Sequence, residues 1–471
     1  MGNLSSIDYI IIILYMSGML VIGYALKGKI NDSDDFYIAG RSLNFFVIAA
    51  TVCASIIGGS ALIGRGGVMY DQGIIGVMLA IPYLLGMYFF SFISGRIQKI
   101  GVRYNISSIP DLMEFRFGKA ARYLTSGLIG FTMMATVGSQ ITALATVIKI
   151  TGGFSYEFAA WFSFLIIISY TVFSGFYGVV YTDVAQFFVL LATVYIILPI
   201  KVVKHLGGIG EMIRAMPSRM LTFNFTPEII GWIFTSLIFT FAGAEMWQRS
   251  FASKSPQAAT RGMLIGTTIY GITILVTVIL SFGSYLLIPD IMQTYGSADA
   301  AIPALAIKIL PTGVLGLAFA GIIAVIMSTA DTYLLMSVQT VVGDIIKPLK
   351  NNLTPSKEIL YSRIGTGIIG ILALVISLYN RQVYRALMFA WTFYAASVGM
   401  PAIAALYWKK ATSAGIIGGM IAGFSSSILW SMLGAPFEIS PAIVGSVLCF
   451  ATLFILSRLT FKADKPSPFP S

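Results

Sequence analysis

The chain has 471 residues, 57% hydrophobic and 10% charged, with a mean hydropathy of +0.87. Soluble domains carry about 25% charged residues, so this composition excludes a soluble enzyme or binding module and predicts an all-α polytopic membrane protein. The net charge of +11 would raise nucleic acid as a partner for a soluble chain. Here the basic residues lie mostly between apolar runs, where membrane topology accounts for them. Two cysteines, Cys53 and Cys449, sit in apolar runs and imply no disulfide framework. The single histidine, His205, excludes a histidine-based metal centre.

A transmembrane helix takes ~20 mostly apolar residues. Thirteen segments are predicted on that criterion: 7–27, 43–66, 74–98, 120–149, 156–177, 180–203, 227–249, 260–287, 312–338, 358–380, 383–407, 413–433 and 441–461. The first has neither a basic n-region before it nor a small-residue cleavage site after it, and reads as a retained helix. Lys and Arg concentrate on one side of the array, which carries Lys27, Arg96, Arg116, Arg122, Arg249, Lys254, Lys347 and Arg458. The positive-inside rule then puts the N-terminus outside and the C-terminus in the cytoplasm. The tail KADKPSPFPS has the polar, Pro-rich composition of a disordered segment.

Segments two to six and seven to eleven each hold five helices entering from opposite sides, which predicts an inverted five-plus-five repeat. The divisions are 1–42 (an extra helix and a cytoplasmic loop), 43–226 and 227–410 (the repeats), and 411–471 (two final helices and the tail). Segment two, with TVCASIIGGSALIG, and segment seven, with FTFAGAEMWQ, interrupt their apolar runs with small residues that tolerate an unwound backbone. In segment nine, AVIMSTADT places Ser328, Thr329 and Asp331 where packing asks for carbon. A charge near the bilayer centre costs at least ~2.5 kcal/mol, and hydroxyls, carbonyls and carboxylates are the ligands of a hard cation such as sodium.

Five motifs carry a family resemblance: DDFYIAGRSL (34–43), SSIPDLMEFRFG (107–118), YTDVAQ (181–186), QRSFASKS (248–255) and MSTADTYLL (327–335). In this order and with this helix count, the chain resembles the sodium/solute symporter family, which includes proline and pantothenate permeases, sodium/glucose transporters and sialic acid transporters. The resemblance implies the inverted-repeat fold shared with the leucine transporter, and uptake driven by sodium. It implies a sodium site from the carbonyls of Ala54, Ile57 and Val325 and the hydroxyls of Ser328 and Thr329. It also places Asp183 on the route by which sodium leaves, with Asp331 and Thr332 as partners in a possible second sodium site.

Each of these residues has a plainer reading. Gly58, Gly59 and Ser60 suit a close helix-packing face. A Ser-Thr pair in a membrane helix commonly bonds its own carbonyls. Asp183 suits an N-terminal cap beside Thr182. The solute is expected beside the broken helices, where the candidates are Ser55, Gly58, Gly59, Ser60, Gln140, Phe239, Gly243, Glu245, Trp391 and Tyr394. Among them, Trp391 and Tyr394 also suit core or interfacial aromatics. Glu245 lies four residues before Arg249 and reads as half of a helix-surface ion pair at the cytoplasmic end.

Sugar transporters of the family place polar groups late in the first core helix and in the next. ALIG (61–64) and GIIGVMLAIPYLLG (73–86) offer few partners for hydroxyls, whose desolvation would then be costly. The interior of segment four lacks the arginine of the sialic acid members. The expected activity is therefore symport of sodium with a small, mostly apolar solute, an amino acid such as proline or a small monocarboxylate, in the plasma (inner) membrane. Alternatives are a sodium channel or passive facilitator, or a symporter of a sugar or vitamin. One asymmetric set of site residues, without a repeated pore motif, favours the symporter. The expected partners are sodium, the solute and lipid, with no nucleic acid, and no protein partner is evident.

Overall fold

The computed structural model describes residues 4–25, 37–350 and 353–461. The tail, Lys27 and the first three residues of the 34–43 motif lie outside the described residues. In chain order the main helices are α1 (Ser6–Ala25), α2 (Phe45–Ile56), α3 (Arg65–Gln72), α4 (Ile81–Tyr104), α5 (Ile109–Phe117), α6 (Lys119–Gly152), α7 (Tyr156–Leu190) and α8 (Leu198–His205). They continue with α9 (Pro227–Ala242), α10 (Ala244–Ala252), α11 (Pro256–Leu287), α12 (Val314–Val338), α13 (Pro355–Tyr379), α14 (Val383–Tyr407), α15 (Ser413–Met432) and α16 (Pro441–Thr460). Among the described residues ten helices are long and apolar enough to cross a membrane, and shorter apolar helices cover Ser6–Met19, Phe45–Ile56 and Tyr156–Ser169.

Local chemistry sets the helix starts. Asn44 caps α2 by accepting from the Phe46 and Val47 N–H groups at 3.0 and 3.1 Å. Thr226 caps α9, with Pro227 in the first turn where its missing N–H costs nothing. One expected boundary does not hold. α7 is helical from Tyr156 through Leu190, so the turn predicted at 178–179 is absent, and a π-helical stretch, Leu191–Ile197, leads into α8. Asp183 is therefore inside a helix, and the capping reading fails. Thr182 bonds back to the Gly178 and Val179 carbonyls, both at 2.9 Å.

α12 is the hub. Every residue from Ala318 to Val338 is buried, as expected of a helix that is apolar all round, and α1, α6 and α7 pack against it. At the periphery, Leu360, Ile364, Ile368, Ile371 and Leu372 leave one face of α13 exposed and apolar, which suits lipid.

α1 is pinned to this hub by one carboxylate. Asp8, 1% exposed, accepts from the Gly313 and Gly316 N–H groups at 2.7 and 2.8 Å, capping α12 from another helix. Gly316 has no room for a side chain, because a Cβ there would stand 2.7 Å from Asp8 Cα. Asp8→Ala should lower stability by about 1–3 kcal/mol, since a buried and a half-buried donor lose their acceptor; thermal unfolding in detergent measures it.

Candidate functional site

Both predicted interruptions are real. α2 ends at Ile57 (φ −82°, ψ 60°). Past it, the N–H groups of Ala61 and Leu62 both bond the Gly58 carbonyl, at 2.9 and 3.0 Å, and bypass that of Ile57. α9 ends at Gly243 (φ −54°, ψ 99°), and α10 begins at the next residue. A helix hides its carbonyls, and a break frees them. At the second break Tyr394 Oη donates to the Ala242 carbonyl at 2.6 Å. At the first, Gln140 answers the opposite need: its Oε1 accepts from the Gly59 N–H at 3.0 Å, and its Nε2 donates to Ser60 Oγ at 2.8 Å.

The Ser-Thr pair of α12 sits against the end of α2. Ser328 Oγ donates to the Ala54 and Val325 carbonyls, each at 3.0 Å. Thr329 Oγ1 lies 3.4 Å from the Ala54 and Ser55 carbonyls and 3.1 Å from that of Val325. The plainer reading of the pair is thus part of the truth, since both hydroxyls bond their own helix, yet both also reach α2. Oxygens held about 2.4 Å from an octahedral cation stand about 3.4 Å apart; the two Thr329 separations across to α2 match this, and the 3.0–3.1 Å ones are direct hydrogen bonds. The approach depends on Gly58, where a Cβ would lie 2.6 Å from Thr329 Oγ1.

Arg249 overturns two expectations. It is neither an exposed basic residue of the Lys- and Arg-rich side nor part of a surface pair with Glu245, because both are fully buried. Its Nη1 donates to the Glu245 backbone carbonyl at 3.1 Å, while both carboxylate oxygens of Glu245 lack a hydrogen-bond partner. Arg249 Nη2 donates to Thr51 Oγ1 and Thr332 Oγ1, both at 3.0 Å, and to Ser55 Oγ. It lies 3.5 Å from Asp183 Oδ2, which accepts from Thr51 Oγ1 at 2.5 Å. Asp183 and Thr332 therefore meet on a guanidinium. Asp331 points elsewhere, accepting from Thr171 Oγ1 at 2.6 Å.

Beside the first break is a central cavity of about 30 Å³, room for about one water. Of the predicted solute residues, Ser55, Gly58, Ser60, Gln140 and Trp391 line it; Gly59, Phe239, Gly243, Glu245 and Tyr394 do not. Phe239 backs the wall, stacked on Trp391 with ring centroids 3.8 Å apart and planes at 6°. Six polar lining residues escaped the sequence reading: Arg65, Tyr83, Ser236, Tyr270, Tyr333 and Tyr384. Tyr83 lies within the stretch 73–86, where its hydroxyl could have been counted. Arg65 follows directly on ALIG and was assigned neither to a loop nor to a site.

Tyr384 also lines a second space, a vestibule of about 380 Å³ that carries Lys149, Arg381, Arg385, Asp71 and Asp299. Burial pushes the Asp299 carboxyl up to about 7, against the N–H of Val383, which favours its charged form.

Two interrupted helices beside a central cavity make a secondary-transporter architecture. The chain belongs to the sodium:solute symporter family, whose pattern matches residues 36–423. It is 27% identical to the high-affinity proline transporter PutP of Bacillus subtilis (strain 168), over 94% of this chain and 96% of that one. It is also 27% identical to the sodium/pantothenate symporter of Haemophilus influenzae, over 94% of each. A solved sodium-coupled sialic acid symporter, in a substrate-bound outward-open state, superposes with a TM-score of 0.83 at 17% identity, covering 98% of this chain and 99% of that one. That likeness shows the fold, the leucine-transporter type expected from the motifs.

Gly58→Ala should weaken the response to sodium at least tenfold, because the added methyl displaces Thr329 from α2, and should cost about 1–3 kcal/mol of stability. Gly127→Ala, where a Cβ meets nothing within 4 Å, is the control and should change neither. Sodium-dependent thermal stabilisation of the two variants measures both effects.

Proposed function

We propose that this protein is a secondary transporter, not an enzyme, which imports a small organic solute with one sodium ion by alternating access across the cell membrane. The observation that carries this reading is the cluster of Ala54, Val325, Ser328 and Thr329 oxygens, joined across two helices at the rim of the solute cavity. Ile57, with its bypassed carbonyl, completes the proposed sodium set. Filling it would tie α2 to α12 and shape the cavity wall at Ser55 and Gly58, so sodium and solute must strengthen each other's binding by the same factor.

One sodium is favoured over two because Arg249 already supplies a fixed positive charge to Asp183 and Thr332, where a second ion would sit. The relatives point to an amino acid such as proline, and the aromatic wall at Trp391 also suits a small monocarboxylate, in a cavity opened beyond its present volume of about 30 Å³. In this reading residues 43–226 and 227–410 are the inverted repeats, with α7 joining two of the thirteen expected segments into one helix. The breaks at Ile57–Gly58 and at Gly243, at matching places in the two halves, support that division.

Proteoliposomes test the reading. An inward sodium gradient should drive uptake of labelled proline or a labelled short-chain monocarboxylate, with one labelled sodium entering per solute. Uptake of the responding solute that is equal in potassium contradicts coupling. Two sodium ions per solute contradict the single site, and sodium flux without any solute identifies a channel.

A further inference from the structure

We propose that Arg65 is the anchor for a carboxylate group of the solute, and that the solute class is a small monocarboxylate without an amine. The proposal rests on the symport reading and concerns the same cavity. Arg65 begins α3, directly after the π-helical stretch that follows the first break. It is 7% exposed and lines the cavity. Its guanidinium lies over the Tyr270 ring, 5.6 Å from the centroid. Among the described residues no carboxylate forms an ion pair with it. A buried guanidinium without a counter-charge is a costly arrangement, and a ligand that supplies the charge relieves it.

The unused groups in the cavity wall point the same way. Arg65 Nε, Trp391 Nε1 and Tyr270 Oη are buried and have no hydrogen-bond partner. The first two can only donate, and the third can donate. All three belong to residues that line the cavity, and donors of this kind suit an acceptor-only ligand, which an ionised carboxylate is.

A zwitterion such as proline would also bring an ammonium, which asks for acceptors, above all an anion. No Asp or Glu is among the residues lining the cavity. Glu245, the partnerless carboxylate of α10, lies outside that lining. The rest of the wall, with Leu79, Leu387 and Met388 beside Trp391, suits a short apolar body.

The backbone holds Arg65 in place. A Cβ on Gly64 would stand 3.0 Å from the Tyr384 backbone nitrogen, and one on Gly66 would stand 2.6 Å from Ile302 Cδ1. The glycines flanking Arg65 therefore let α3 pack closely on both neighbours, and the guanidinium projects from a fixed base. A bidentate fork suits a carboxylate in a way a lysine ammonium does not.

The test uses purified full-length protein in sodium, with lactate and propionate, their amides, and proline as probes, read by thermal unfolding and calorimetry. At least one of the two carboxylates should stabilise the wild type, and its amide at the same concentration should not. Proline should bind more weakly than the carboxylate. Arg65→Gln should weaken carboxylate binding at least tenfold while leaving the stabilisation by sodium alone unchanged, and Arg65→Lys should fall between. Equal effects of acid and amide, no response to either carboxylate, or unchanged carboxylate binding in Arg65→Gln each overturn the assignment. If Arg65→Gln does not fold, the acid-against-amide comparison in the wild type decides. The two readings fail separately: wild-type solute binding that ignores sodium defeats the symport reading, whereas sodium-dependent binding that survives Arg65→Gln defeats this one alone.

Discussion

A guanidinium sealed among four helices constrains the rest of this structure. Arg249 comes from α10, and the groups that receive it come from α2 (Thr51 and Ser55), α7 (Asp183) and α12 (Thr332). An ion pair in a low-dielectric interior is tolerated only when hydrogen bonds complete it, so these helices have little freedom to slide. Ser55 carries the consequence to the functional site. Its hydroxyl is held by Arg249, its carbonyl faces Thr329, and it lines the solute cavity. The charge network, the proposed sodium ligands and the proposed solute space thus meet at one residue.

The breaks in segments two and seven follow from backbone accounting in a medium without water. Freed carbonyls and N–H groups must find partners, and each break is met by side chains from neighbouring helices. Gln140 serves the first and Tyr394 the second. Both were read in the sequence as solute contacts, but their polar atoms are engaged in holding the breaks open, and only Gln140 also lines the cavity. The Ala54 carbonyl differs from the others, because the hydroxyls that meet it, Ser328 and Thr329, can turn their lone pairs toward a cation instead.

What the sequence made legible was local. Apolar length located the helices, clusters of small residues located the breaks, and the MSTAD stretch of segment nine located the hydroxyls that now face α2. What stayed hidden depends on partners distant in sequence. Arg249 follows Glu245 by one helical turn, a spacing that resembles a solvated pair, and only the fold brings Asp183, Thr51 and Thr332 to it. Asp183 looked like a cap because small and aromatic residues precede it, yet the helix runs through them. Arg65 was legible as a charge inside an apolar segment, and the principle that such charges are functional would have singled it out had it been applied there as it was to Asp331.

The central claim is that sodium binds between α2 and α12. The most direct measurement is the unfolding temperature of the purified protein as sodium replaces potassium at constant ionic strength, for the wild type, Ser328→Ala and Thr329→Ala. An ion bound only by the folded state raises stability by mass action. The account predicts a saturating, sodium-specific rise in the wild type. It also predicts that each variant, folded in potassium, loses most of that rise. An undiminished sodium response in both variants would place the ion elsewhere and contradict the account.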